Sequence, residues 1–480
     1  MTEWRFIAQR ATTKEFLDYD VPLRREELKW ELSGAGSLRG VVAPDVGTLR
    51  ASDGQLLLEE WGTLLYAEAD GEIRWGGIVV SSKFDGPSWT VEAAGFATYP
   101  HGIAYAGDYY KALIDPAQVV RDIWDHLQSY PDGDLDLSVV GSTNVRIGSP
   151  SEDAANSAAT AAATARANYD AANKELATRR AAATAARKDQ TAAIANRTAK
   201  SKALSAAKKT KNTASIAAAQ AAYNSANAAV TAAKDVVAQK DADVKAQATV
   251  VAGLKTTLDA ADAKKKATAA AKKDDGGAYK LSWWESTDCG QEIDTLAKET
   301  PFDYVERHYW SGDTIKHELQ IGYPRLGRRR DDLAFIQGDN ITSVVAPNID
   351  GDDFANEVIG IGSGEGKGSI HRTTAVRDGR LRRSYVYTAK DVAKTDRMDA
   401  LIRDQLRRRA LSLDIQSVTV RDHPNARIGD WTVGDDVLIQ ATIPWLGDVE
   451  LWCRIVGWTL LTEHTATLSL KRSDAFTYGG

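Results

Sequence analysis

The sequence predicts a multidomain α+β protein interrupted by a long Ala-rich antiparallel helical hairpin. Three observations carry that expectation. Short apolar runs punctuated by Gly, Pro and Asp dominate both ends of the chain. A few isolated stretches switch to helical periodicity. One internal segment has a composition of its own: between Ser151 and Asp275, 125 residues include 47 Ala, one Gly and no Pro, Trp, Phe or Cys. That segment carries 21 Lys+Arg against 12 Asp+Glu, whereas the other 355 residues hold all 13 Trp and all 12 Pro, with 39 Lys+Arg against 54 Asp+Glu. The overall net charge of −6 therefore joins a basic segment to an acidic remainder.

Residues 1–110 read as β. Runs at Arg5–Ala8, Leu28–Leu32, Leu56–Glu59, Thr63–Ala67, Glu72–Ser82 and Trp89–Ala94 are separated by turn residues, the pattern of a barrel or sandwich. Asp70-Gly71 between two runs is a hairpin turn. Asp115 then offers an N-cap and Pro116 a first helical residue, followed by Val119, Val120, Ile123, Trp124 and Leu127 at helical spacing. A strand at Leu135–Val140 follows.

Ser151 with Glu152 and Asp153 begins a helix, and Lys272, Lys273 and Gly276-Gly277 end one. Ala propensity makes the interval helical. Its second half repeats every seven residues at Ile216, Tyr223, Val230, Val237, Val244, Val251 and Leu258, with Leu254 among the positions three further on. This is a coiled-coil seam. The first half offers Tyr169, Leu176, Ile194 and Leu204 among Ala. The helix-poor stretch Lys208–Thr213 lies at the midpoint, so two arms near 153–208 and 213–273 fold back, bringing Tyr169 towards Leu254, Leu176 towards Val244 and Leu204 towards Ile216. The rival reading, a disordered low-complexity linker, conflicts with the heptad and the paired capping signals.

After Gly277 the aromatic, acidic style resumes, so the hairpin is expected to be an insertion with adjacent ends. A helix at Gln291–Glu299 precedes strands at Tyr304–Trp310 and Ile315–Ile321. A Gly-rich turn at Gly360–Gly368, a helix at Thr395–Leu411 and strands at Ile415–Val420, Val437–Ala441, Leu451–Leu461 and Ala466–Leu470 complete the chain. The expected organisation is a β-rich region over 1–110, an α/β region over 111–150 and 277–330, the hairpin over 151–276, a second β-rich segment over 331–390 and an α+β close over 391–480.

No apolar run approaches the 18 residues of a membrane span. The opening MTEWRFIAQR lacks the apolar core of a Sec-type signal, so none is expected. Cys289 and Cys453 make neither a disulfide framework nor a thiolate zinc site. Gly362–Gly368 misses the phosphate-loop spacing and puts Gly368 where Mg²⁺ needs Ser or Thr. Asp132-Gly-Asp134-Leu-Asp136 starts like a Ca²⁺ loop, but its twelfth position is Thr143 rather than Glu. Asp350–Asp353 also reads as a solvated turn. His308 and His317, nine apart, suggest no metal geometry. The basic clusters Arg325…Arg330 and Arg403…Arg409 are expected to pair with acidic body surface at a subunit interface. No catalytic residue, cofactor, metal site or sequence-specific nucleic-acid contact is expected.

Several stretches carry a resemblance. Lys280-LSWWESTDCGQEIDTLAKETPFDY-Val305, Ile321-GYPRLGRRRDDLAFIQGDN-Ile341, Ala355-NEVIGIGSGEGKG-Ser369, Ile428-GDWTVGDDVLI-Gln440 and Cys453-RIVGWTL-Leu461 resemble the minor tail proteins of siphoviruses infecting actinobacteria, the tail-tip hub family similar to contractile-phage baseplate hubs and tail-associated proteins. The resemblance implies two tube-like β-barrel domains with smaller α/β domains, and a homotrimer at the virion tail tip, assembled in the host cytoplasm. It also implies partners: the distal tail protein, tail tube, tape-measure protein and further tail-tip proteins, with the host cell envelope a candidate contact. The implied role is structural: to close the tail channel and take part in adsorption and DNA release. A tail-tip enzyme that cuts the envelope, or a host-surface binder using the hairpin, are the alternatives. The hairpin departs from the family plan.

Overall fold

The structure, a computed structural model, describes residues 4–300, 302–346, 354–363, 368–389, 392, 394–410 (Arg408 by its backbone), 415–445 and 447–473. The chain forms two compact units, Met1–Ser149 with Asp274–Gly480, and Pro150–Lys273.

The larger unit begins with β1 (Trp4–Arg10), β2 (Phe16–Asp18), β3 (Arg24–Glu31), β4 (Ser37–Val42), the single turn α1 (Pro44–Gly47), β5 (Thr63–Ala69), β6 (Glu72–Phe84) and β7 (Trp89–Ala94). Asp70 and Gly71 both take positive φ, the two-residue turn that matches strand twist. The expected strand at Leu56–Glu59 is instead an isolated bridge at Leu56 followed by turns. Leu57 and Leu58 are both buried there, which a strand with one covered face cannot arrange. β4 escaped the sequence reading because Gly40 interrupts it. A Cβ there would meet Leu23 Cδ2 at 2.3 Å, so glycine makes room for that core leucine.

Next come β8 (Asp108–Lys111), α2 (Pro116–Gln128) and β9 (Leu137–Val140). Asp115 caps α2 by accepting from Ala117 N at 2.9 Å, as its position predicts. The hairpin helices α3 (Ser151–Thr210) and α4 (Thr213–Asp275) form the second unit. The first unit resumes with β10 (Tyr279–Ser282), α5 (Cys289–Glu299), β11 (Asp303–Ser311), β12 (Thr314–Gly322), β13 (Arg329–Ile336), β14 (Glu357–Ile361), β15 (His371–Ala375), β16 (Ser384–Thr388), α6 (Thr395–Ala410), β17 (Ser417–Arg421), β18 (Asp436–Ile443), β19 (Gly447–Thr462) and β20 (Thr465–Arg472).

Twelve strands form one mixed sheet in the order β13-β18-β19-β3-β4-β7-β6-β5-β1-β2, with β20 on β19 and β17 on β20. At Leu28–Glu31, β3 pairs with Leu460–Gly457 of β19, so the amino-terminal strands run into the carboxy-terminal ones. Trp30 and Trp458 are opposite one another in this register and stack at 3.8 Å. The strands expected to make two separate barrels thus belong to one sheet, and bridges Gln337–Ile341 and Ile341–Val420 carry β17 back towards the end of β13. One face of the sheet packs Phe6, Leu65 and Val79 with Phe335, Ile439 and Leu468. The other face of β1, β5 and β6 packs Ile7, Leu64, Tyr66 and Ile78 against α2, α5 and the small β11-β12-β9 sheet. β5 is thus buried at every residue. Three further strands, β15-β14-β16, carry α6 through Met398, Ile402 and Leu406.

Candidate interaction surfaces

In the hairpin, α3 ends at Lys211 in the left-handed conformation. Asn212 then caps α4, accepting from Ala214 N at 3.1 Å and Ser215 N at 3.2 Å. At 1.5 Å per residue the arms are about 90–95 Å long. Val230 and Leu258 are buried in the α4 seam, and Ile216, Tyr223, Val237, Val244, Val251 and Leu254 are partly buried. In α3, Leu176 and Leu204 are buried and Tyr169 is partly buried, but Ile194 is 38 % exposed. The α3 seam instead runs through Ala158, Ala162, Ala165, Ala172, Ala183 and Ala186, at alternating steps of four and three. Tyr169, Leu176 and Leu204 are its a positions; Ile194 falls at an e position beside it.

Register is set by Gln247 Nε2 donating to the carbonyl of Ala172 at 3.1 Å, and by ion pairs Arg166–Asp262 at 3.3 Å and Arg187–Asp241 at 2.7 Å. Both ion pairs join e positions of the two helices, the antiparallel pairing within about one turn of the expected register. Glu152 and Lys272 pair at 2.7 Å near the open end.

In the body, the first basic cluster is used within the chain. Arg325 pairs with Asp436 at 2.6 Å, Arg330 with Asp332 at 2.7 Å and Asp435 at 3.3 Å, and Arg329 lies 3.6 Å over Trp452. These arginines clamp the β12–β13 connection onto β18 and β19. Beside them Arg454, fully buried, donates to Asp303 at 2.5 Å, Leu326 O at 2.8 Å and Gly434 O at 3.1 Å. In the second cluster, the Arg409 guanidinium lies 3.5 Å over Tyr385, whereas Arg403 and Arg407 are exposed on α6. The span 354–410 carries 13 Lys+Arg against 7 Asp+Glu. Within it a cavity of about 270 Å³ is lined by Asn356, Glu357, Arg377, Asp378, Arg380 and Arg382.

A buried polar chain joins β1 and β5 to β11 and β12. The β11–β12 turn centres on Gly312-Asp313, which sets His308 opposite His317. Their Nδ1 atoms are 3.0 Å apart, and Tyr66 OH lies 3.2 Å from His317 Nε2 while donating to Gln9 at 2.9 Å. Glu306 lies 3.4 Å from His308 and accepts from Phe96 N and Ala97 N. Burial, then the neighbouring His308, Lys14 and Lys316, hold the His317 imidazole down to about 2. This chain fastens β1 and β5 to β11 and β12. It is a structural joint, and no group of three or more metal-ligating side chains occurs among the described residues. Cys289 is buried, and burial, with Asp288 and Glu292 nearby, pushes its thiol up to about 11, against nucleophilic use. The Asp132–Asp136 turn is a hydrogen-bonded surface loop, with Asp134 accepting from Asp136 N at 2.8 Å and Asp136 pairing with Lys316 at 2.6 Å. Asp350–Asp353 and Gly364–Lys367 lie outside the described residues. Trp283 and Trp284, 59 % and 63 % exposed, meet edge to face at 5.6 Å on a turn after β10.

A large mixed sheet with small α+β modules and an inserted helical pair defines an α+β fold. That fold is shared with the 43 kDa tail protein of prophage MuSo2 from Shewanella oneidensis, at TM-score 0.50 and 11 % identity over 99 % of this chain and 100 % of that one. A tail protein from Neisseria meningitidis MC58 matches at TM-score 0.47 and 11 % identity, over 98 % and 100 % of the two chains. An Escherichia coli component of the type VI secretion system, described as structurally similar to bacteriophage T4 tail proteins, matches at TM-score 0.36 and 7 % identity, over 96 % and 76 %. No family profile matches the sequence, and no curated protein matches it.

Proposed function

We propose that the chain is a structural protein of a bacteriophage tail and, within the tail, the tip hub of a siphovirus. In this role three copies join the sixfold tail tube and distal tail protein to a threefold tip. They close the channel, hold the end of the tape-measure protein and pass the adsorption signal that releases DNA. One observation carries the reading: the end-to-end likeness of fold to a phage tail protein, spanning nearly the whole of both chains. The sheet joining amino- and carboxy-terminal strands through β3 and β19 suits a subunit that supplies two tube-like β modules to a ring. The excess of 54 Asp+Glu over 39 Lys+Arg outside the hairpin suits a channel wall that does not retain DNA, because like charge lowers affinity for phosphate.

The test is the solution mass of the full chain together with its binding to distal tail protein. A trimer that binds supports the hub. A monomer that does not bind refutes it, and a lytic band on a host cell-wall zymogram would replace the structural reading with an enzymatic one.

A further inference from the structure

The hairpin has two unlike flanks. Its e positions bear six Lys or Arg and three Asp or Glu, whereas its g positions bear three Asp or Glu and one Lys. The ion pairs Arg166–Asp262 and Arg187–Asp241 fix the e side as one flank, which leaves the g positions on the other. The three large apolar side chains exposed on this unit, Ile194 at 38 % and Val236 and Val250 at 50 % each, divide between the flanks: Ile194 is an e residue, and the two valines are g residues.

Heights along the arms complete the pattern. Counted from the open end at 1.5 Å per residue, the g-flank acids Glu175, Asp243 and Asp189 stand at about 36, 48 and 57 Å. The e-flank bases Lys255, Arg180 and Lys234 stand at about 30, 44 and 62 Å. Val236 stands at about 58 Å on one flank, and Ile194 at about 64 Å on the other, within about one helical turn. Nearer the open end, the g flank has an open groove of about 710 Å³ lined by small side chains, among them Thr160, Ala161, Thr164, Asn168 and Thr257, where another helix can approach closely.

We propose that the g flank of each hairpin receives the e flank of the hairpin of a second copy of this chain, side by side and pointing the same way. Copies related by rotation present equal heights to one another. The acids then meet the bases, and Val236 meets Ile194. Within one hairpin Glu175, Asp243 and Lys255 pair only with Arg179, Lys240 and Asp259 on their own helices, because the two flanks lie on opposite sides of the seam.

The proposal rests on the hub reading only in requiring more than one copy. The full chain carrying Ile194→Cys and Val236→Cys is oxidised and run without reductant, beside each single variant. Native Cys289 and Cys453 are buried and do not compete. The double variant is expected to form at least tenfold more linked chains than either single variant. Adding Asp189→Lys is expected to lower linking severalfold, and adding Lys234→Asp as well to restore it. An oligomer of unchanged mass that does not link, or equal linking by Val236→Cys alone, overturns the flank pairing and leaves the hub. A monomeric wild-type chain overturns both.

Discussion

Arg454 tests whether β19 is locked onto β11 and the β12–β13 connection by buried charge. Its side chain is wholly buried, and Asp303, its partner at 2.5 Å, is 12 % exposed. Arg454→Met keeps much of the volume but removes three donors' worth of bonds, to Asp303, Leu326 O and Gly434 O. Asp303 keeps only the N–H of Leu326 at 2.8 Å. Breaking a buried pair from one side costs about 3–5 kcal/mol, because the surviving charge stays out of water. Unfolding entropy is about 2.1 cal/mol/K per residue. The 355 residues outside the hairpin then convert about 4 kcal/mol into a fall of about 5 °C in melting midpoint. All 13 Trp lie outside residues 151–275, so tryptophan fluorescence reports this unit alone, while far-UV dichroism is weighted to the hairpin. The pair Arg454→Met with Asp303→Asn is expected to recover part of the loss, and a double-mutant cycle measures the coupling. A single Arg454→Met variant within about 1 kcal/mol of wild type would refute the argument that this charge is a lock.

Other outcomes follow from the same geometry. Leu176→Ala, at a buried seam position, is expected to cost about 2 kcal/mol, the low end for a Leu truncation, and to lower the helical dichroism transition without moving tryptophan fluorescence. Burial holds the His317 imidazole down to about 2 when folded, against an ordinary value of 6.5. The unfolded chain therefore binds the extra proton below pH 6.5, and stability falls with pH from 6.5 towards about 2 by at most about 1.4 kcal/mol per unit. It is unchanged by this group above 6.5, and His317→Gln should flatten that slope in urea titrations across pH. Cys289 and Cys453 are buried, so a thiol reagent at pH 8 should titrate neither thiol in the native chain and both in denaturant. Replacing 153–274 by a short Gly/Ser linker should leave the tryptophan melting curve within about 1 °C, since the larger unit is compact without that segment.

How much was legible depends on which side chains carried information. The α4 seam was readable because Ile216, Tyr223, Val230 and Leu258 stand out from Ala. The α3 seam was not, because Ala at a buried position looks like any other of 47 Ala. The bulkiest nearby residue, Ile194, drew attention to the wrong side of the helix. The cap at Asp115 and the turn at Asp70-Gly71 were local, and local chemistry decides them. Pairing between β3 and β19 joins residues some 430 positions apart, and nothing in either strand names its partner. The His308–His317 contact was within reach: centring the hairpin on Gly312-Asp313 places them opposite one another. Sequence shows Arg325, Arg329 and Arg330 together but hides Asp436 and Asp435 folded against Arg325 and Arg330.

The insertion itself has a local explanation. Ser149 N donates to Gly277 O at 2.7 Å, and Ser149 Oγ donates to Asp275 at 2.7 Å. The chain thus closes on itself where the hairpin begins and ends, and β10 resumes by pairing with β8 at Tyr279–Lys111. Gly276 and Gly277 take positive φ there, a conformation that lets α4 stop within two residues. An insert entered and left through one closed neck imposes no separation on the strands around it. Its length and charge can therefore change without reregistering β8 and β10. This is how a basic, Ala-rich segment can sit inside an acidic, Trp-rich protein, and why the function of its flanks can be tested without dismantling the sheet.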